Sequence, residues 1–251
     1  MPDTQHPNPV ALITGGAQRI GRQVACALHA RGFSIVIHYR RSADAANTLC
    51  AELNQKRANS AATVCADFSK TESLDHFTEA VLKQFGRLDA LINNASDFYP
   101  TPIGSITSGD WERLFASNVR APLFLAQAFA DALTQTQGCI INMADIYAER
   151  PLAQHSVYCS AKAALVMLSK SLALELAPRV RVNTIAPGAI LMPSDESDFS
   201  TQEEKNIQDK VPLKRIGNPA DIAHTIAFLV CDAPYITGQV IAVDGGRSLS
   251  Q

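Results

Sequence analysis

Tyr158 and Lys162 stand four residues apart in a segment with helical periodicity, so a phenol and an ammonium share one helix face about a turn apart. Asp145 lies just beyond the apolar run Cys139-Ile140-Ile141, which reads as a buried strand ending at Asn142-Met143. The stretch from Asn142 to Lys162 therefore brings an acid, a phenol and an ammonium to one reacting centre. A strand end facing a helix is where an α/β sheet assembles its site. An ammonium beside a phenol favours the phenolate, which predicts a Tyr158 pKa lowered toward working pH and a usable proton donor and acceptor. Alone, Tyr-x-x-x-Lys also fits an ordinary amphipathic helix; the rest of the chain decides between these readings.

Such a site needs rigid elements to position it. Short apolar runs at Val10–Ile13, Ser34–Tyr39, Ala61–Ala66, Leu88–Ile92, Cys139–Met143, Val180–Ile185 and Gln239–Val243 alternate with helical segments such as Arg19–Ala30 and Ala43–Lys56. Strand–helix alternation implies right-handed crossovers, hence an α/β fold with a doubly wound, parallel, seven-stranded sheet covered by helices on both faces. With 251 residues, one domain over 10–251 is expected, preceded by a frayed tail over 1–9 that has three prolines and no apolar targeting run. Residues 188–209 show no clear regularity and read as a substrate loop, either an active-site lid or disordered.

A net charge of -2, 47% hydrophobic and 18% charged residues describe a soluble globular chain with neither nucleic acid nor membrane as its main partner. The six cysteines (Cys26, Cys50, Cys65, Cys139, Cys159, Cys231) show no paired spacing, which fits a reducing cytoplasm better than a disulfide framework. Cys159 reads as a small buried hydrophobe rather than a nucleophile. The histidines His6, His29, His76, His155 and His224 lack ligand spacing with acids or cysteines, so no metal is expected.

The first strand runs into Thr14-Gly15-Gly16-Ala17-Gln18-Arg19-Ile20-Gly21, a glycine-bearing turn opening a helix, where backbone N–H groups can approach a pyrophosphate. The second strand ends in His38-Tyr39-Arg40-Arg41-Ser42, with no acid until Asp44. A carboxylate there would accept from a free ribose; arginines suit a 2′-phosphate instead. Arg19, Arg40, Arg41 and Ser42 thus point to NADPH over NADH. Asp67, beside Phe68 after the third strand, either accepts from the adenine amino group or caps the next helix.

The turn TGxxxRxG, Asn93-Asn94-Ala95 after the fourth strand, Asn118 in the following helix, Tyr158 and Lys162, and Pro187-Gly188 after the sixth strand occur in order across residues 10–246. In these the chain resembles the short-chain dehydrogenase/reductases, a Rossmann-type family. The resemblance implies Tyr158 as proton donor, Lys162 holding the nicotinamide ribose and Asn118 keeping a water on Lys162. It also implies cofactor contacts from Gly15, Ile20, Gly21, Tyr39, Phe68, Asn94, Ala95, Ser96, Pro187 and Gly188, and a homotetramer built on residues 110–135, 155–176 and 235–251.

Asp145 departs from the serine usual in that family. The departure is shared by the pteridine reductases, which the chain also resembles in His38–Ser42 and in Asn94-Ala95-Ser96-Asp97-Phe98-Tyr99-Pro100-Thr101-Pro102. That likeness implies Phe98 stacking a pterin and Ser96 bonding cofactor phosphate or pterin. Independently, Phe98 lacks any period that would bury it, and an aromatic clamp for a flat heterocycle is the better use.

An ionised Asp145 would repel the alkoxide formed when a ketone takes hydride, whereas a pterin presents N–H donors that a carboxylate accepts. Burial should raise the Asp145 pKa and help it hold a proton. The first reading is therefore NADPH-dependent reduction of dihydropterin, extending to dihydrofolate. A 3-oxoacyl or other carbonyl reductase is the alternative, and a catalytically idle NADP-binding sensor would be expected to lack Tyr158, Lys162 or Asn118.

Overall fold

Strands made of unbroken apolar runs bury both faces, and the chain has several. In the computed structural model, which describes residues 8–68, 74–190 and 201–250, β1 (Val10–Ile13), β4 (Ala90–Asn93) and β5 (Cys139–Met143) are buried at every position. The other strands are β2 (Ser34–Tyr39), β3 (Ala61–Cys65), β6 (Arg181–Pro187) and β7 (Val240–Val243). All seven pair in parallel, in the order β3-β2-β1-β4-β5-β6-β7. The order reverses between β1 and β4, so a cleft opens at the carboxyl ends of those two strands.

The helices are α1 (Arg19–Ala30), α2 (Ala43–Lys56), α3 (Leu74–Phe85), α4 (Ser108–Phe115), α5 (Ala121–Ala128), α6 (Ala130–Thr136), α7 (Ser156–Glu175), α8 (Thr201–Asp209) and α9 (Pro219–Cys231). Alternate strand residues supply two cores, one per sheet face. Ile13, Ile35, Ile37, Ile92 and Ile141 meet Val24 and Leu28 of α1 and Ile222 and Ile226 of α9. Leu12, Val36, Leu91 and Ile140 meet Phe77 of α3, Leu125 of α5, Leu172 of α7 and the fully buried Phe129.

Helix starts follow local chemistry. Thr107 and Asp110 form a capping box at α4, as Asn218 and Asp221 do at α9, with Pro219 opening that helix. Between α4 and α5 the helix widens into a π-helical turn, Ala116–Arg120, which contains Asn118. Helix α7 is long and apolar enough to cross a membrane, yet it packs on β6 and buries Lys162.

Two expectations need correction. The expected irregular stretch 188–209 contains α8: Gln, Glu and Lys there favour a helix intrinsically, without an apolar stripe to reveal it. Its lid-like part, residues 191–200, lies outside the described residues, as do residues 1–7 of the expected tail. The end of that tail is not frayed, because the Pro9 carbonyl accepts from Ser34 N–H at 2.7 Å and extends the β1–β2 ladder.

Candidate active site

The glycine turn is fastened to the end of β4 by a threonine and an asparagine. Thr14 Oγ1 accepts from the N–H groups of Asn94 and Ala95 at 2.9 and 3.0 Å. Asn94 Nδ2 donates to the carbonyls of Thr14 and Gly15 at 2.9 and 3.0 Å. This closeness requires bare backbone: a side-chain carbon on Gly21 would stand 2.8 Å from Asn94 Nδ2, and Gly15 has φ +59°. Arg19 also adopts a left-handed conformation, φ 52°, unfavourable by about 1–2 kcal/mol for a residue with a Cβ, and sits exposed at the turn's rim.

His38 holds the turn from the β2 side. Its Nδ1 accepts from Gly15 N–H at 3.1 Å and its Nε2 meets the Ala66 carbonyl at 3.1 Å, which assigns the neutral Nε2–H tautomer. The ring stacks on Phe68 at 4.3 Å, and burial lowers its pKa to about 4. Both residues serve the scaffold as well as the groove wall.

At the reacting end, Tyr158 Oη donates to Asp145 Oδ2 at 2.8 Å, while Asp145 Oδ1 accepts from Tyr147 N–H at 2.9 Å and so caps the 3₁₀ turn Ile146–Ala148. Lys162 Nζ donates to the Met143 carbonyl at 2.7 Å and lies 5.6 Å from the Tyr158 ring centre. A buried polar chain keeps these strand ends in register with α7: Asn93 Nδ2 to Asn142 Oδ1, Asn142 Nδ2 to Ser169 Oγ, and Ser169 Oγ to the Leu165 carbonyl, at 2.8, 2.8 and 2.7 Å.

These two ends face one groove of about 700 Å³ running across the switch point. Gly15, Arg19, Ile20, Gly21, Tyr39, Arg40, Arg41, Ser42, Asp67, Phe68, Asn94, Ala95, Ser96, Phe98, Asp145, Tyr158, Lys162, Pro187 and Gly188 all line it. Phe98 is 55% exposed, packed edge-on against Tyr158 at 4.8 Å and stacked on His155 at 4.7 Å.

A family model described as Enoyl-(Acyl carrier protein) reductase matches residues 15–248. Pteridine reductase 1 of Leishmania tarentolae is 40% identical, with 97% of each chain covered. L-xylulose reductase of Bos taurus is 34% identical over 94% of this chain and 95% of that protein. A 3-oxoacyl-[acyl-carrier-protein] reductase of Staphylococcus aureus is 34% identical over 94% of this chain and 96% of its own length. The chain is a short-chain dehydrogenase/reductase. Its resemblance to pteridine reductases, first seen in Asp145 and the Asn94–Pro102 stretch, extends along almost the whole sequence.

The electrostatics of this reductase differ from expectation at Tyr158. Its pKa is pushed up, first by burial and then by the Asp145 charge that its hydroxyl bonds. The phenol thus keeps its proton, because Lys162 points its ammonium at the Met143 carbonyl and leaves the carboxylate as the phenol's nearest charged partner. Burial raises Asp145 as expected, offset in part by the bonds from Tyr147 and Tyr158 and by Lys162. Burial lowers Lys162 to about 8, with Asp145 opposing that shift.

Asn118 is the one expected site residue that does not line the groove. Its amide donates to the carbonyls of Asp97 and Leu114 at 3.0 and 2.9 Å, so within the π-helical turn it braces the strand-four loop. Asp67 lines the groove; the described part of the next helix is Leu74–Phe85, and residues 69–73, on which a cap by Asp67 depends, lie outside the described residues.

Sequence reasoning missed three contributors in this reductase. His38 looked like a strand residue, and only the fold brings it to Gly15. His155 begins α7 beneath Phe98 and was visible only as a neighbour of Tyr158. Asp97 lies between Arg40 at 3.4 Å and Arg113 at 3.1 Å, spanning the groove wall, a pairing between distant segments that no spacing rule reveals.

Proposed function

We propose that this short-chain reductase reduces the C=N bond of dihydropterins with NADPH, and that dihydrofolate is a substrate of the same site. The observation that carries the proposal is Asp145 bonded to Tyr158 at 2.8 Å directly beside the exposed ring of Phe98. The exposed aromatic face offers a flat heterocycle a stacking surface, worth about 0.5–1.5 kcal/mol beyond its buried area. The carboxylate suits the N–H donors of an aminopyrimidine and opposes the alkoxide of a ketone reduction.

The groove fits a phosphorylated dinucleotide on two counts: a backbone cradle at Gly15 and Gly21 that a side chain would fill, and exposed Arg19, Arg40 and Arg41 around its rim. Arg19, Arg40, Arg41 and Ser42 would hold the 2′-phosphate and Asp67 the adenine. Asn94, Ala95, Ser96, Pro187 and Gly188 would lie along the remainder, with Tyr158 and Lys162 at the nicotinamide ribose. When bound, NADPH supplies the hydride.

The chain's own task is the matching proton. Tyr158, kept protonated by burial, donates it to the ring nitrogen. The phenolate so formed takes up a proton relayed from solvent through Asp145, the group that its hydroxyl bonds and whose pKa burial raises. Lys162, cationic below about pH 8, offsets the transient negative charge. Phe98 and His155 orient the ring, and Asn118 positions the loop that carries Phe98. The homotetramer implied by the family would cover exposed Phe124 on α5 and Met167 and Leu174 on α7.

The test is NADPH oxidation by the purified protein with dihydrobiopterin, dihydrofolate and an acetoacetyl thioester in parallel. Turnover of the dihydropterins with at least about tenfold higher kcat/KM than the thioester is expected. A preference for the thioester would overturn the proposal.

A further inference from the structure

Arg150, Lys210 and Arg247 line a second cavity, of about 170 Å³, together with Tyr147, Leu152 and Ser250. No carboxylate lines it among the described residues. Three cations around so small a space repel one another, and an anion between them would relieve that repulsion. The cluster is also anchored: Arg150 Nη1 donates to the Arg247 carbonyl at 2.6 Å, tying the guanidinium to the turn after β7 and leaving four of its five N–H groups outside that bond.

The cavity adjoins the groove. Tyr147 lines both, and its N–H is the one bonded to Asp145. Tyr147 is thus a wall shared by the groove that holds Phe98 and the cavity that holds the cations, and Leu152 adds an apolar face on the cavity side. We infer that Arg150, Lys210 and Arg247 form a carboxylate subsite that binds the glutamate tail of dihydrofolate, with the p-aminobenzoyl spacer crossing Tyr147 and Leu152. This inference rests on the pteridine reading and deepens it: the reductase discriminates in favour of pterins that carry an acidic tail. The tail's two carboxylates offset two of the cluster's three positive charges, whereas a free dihydropterin leaves the cavity unused.

Dihydrofolate, dihydropteroate and dihydrobiopterin distinguish the parts, since only the first has the glutamate and only the third lacks the aryl spacer. In the wild-type protein, KM for dihydrofolate should lie about tenfold or more below that for dihydropteroate, the worth of one charge-assisted contact. Lys210→Glu and Arg247→Glu should each raise KM for dihydrofolate about tenfold while leaving kcat and KM for dihydrobiopterin within about twofold. Raising the salt from roughly 0.05 to 0.5 M should weaken dihydrofolate alone. Equal wild-type KM values for dihydrofolate and dihydropteroate overturn the subsite and leave the pteridine reading intact, and so does a parallel loss of dihydrobiopterin affinity in both variants. Wild-type protein that reduces no dihydrobiopterin overturns the pteridine reading and the subsite together.

Discussion

Replacing Asp145 with asparagine removes a charge while preserving shape, and the structure indicates what should follow. The Oδ1 acceptor that caps the turn at Tyr147 survives, so the local backbone should hold. What is lost is the charged acceptor 2.8 Å from the Tyr158 hydroxyl and the carboxylate that supports the Lys162 ammonium. A charge-assisted hydrogen bond contributes about 1.5–3 kcal/mol, so kcat on a dihydropterin should fall by roughly 10- to 100-fold. The pH profile should move as well. Lys162 titrates at about 8 because burial lowers it and Asp145 partly restores it; activity that needs the ammonium is full below that pH and declines above it. Without the carboxylate, the alkaline limb in Asp145→Asn should shift to lower pH. Steady-state kcat measured across about pH 5–9.5, with thermal melting as a control for folding, reads both effects. An alkaline limb that stays in place, or moves upward, would refute the electrostatic coupling of these two groups. An unchanged kcat would leave Asp145 as a helix-turn cap only.

Tyr158→Phe should lower kcat by about 10²–10⁴-fold while NADPH affinity, read by fluorescence titration, changes only a few-fold, because the ring remains and only the proton is deleted. Arg41→Ala should reduce the preference for NADPH over NADH, measured as a ratio of kcat/KM values, by about tenfold, the loss of one phosphate contact at the groove's rim. His38 makes acid stability a further check. Its folded pKa of about 4 lies below the ordinary 6.5, so the unfolded chain binds the extra proton and stability falls as pH drops from about 6.5 toward 4. The loss attributable to it is about 3 kcal/mol, and denaturant melts of His38→Gln should show that much less acid sensitivity than the wild type.

Much of the fold was legible because its signals are local. Unbroken apolar strands, alternating with helical stripes, dictate a buried parallel sheet, and the observed bounds of β1, β2 and β5 coincide with their apolar runs. The boundaries that shifted, such as β4 beginning at Ala90 instead of Leu88, reflect ladder pairing that apolarity cannot specify. Helix α8 was missed because its helical tendency is intrinsic and carries no amphipathic stripe.

The site divides in the same way. Types and spacings alone marked Tyr158, Lys162, Asp145, the glycine turn and the arginines at the end of β2, because a motif of short range carries its chemistry with it. Only the tertiary structure decided which groups those residues address. Lys162 turns to Met143 and Asp145 accepts from Tyr158, reversing the expected direction of the phenol's pKa, since burial depth and the nearest charge are properties of the packed molecule. It likewise brought His38 to Gly15, Asp97 to Arg40 and Arg113, and Lys210 and Arg247 to Arg150, in each case joining residues far apart along the chain. A sequence fixes what each side chain can do, but contacts between distant segments depend on how the crossovers wind around the sheet, and that winding is written in the whole chain and in no single motif.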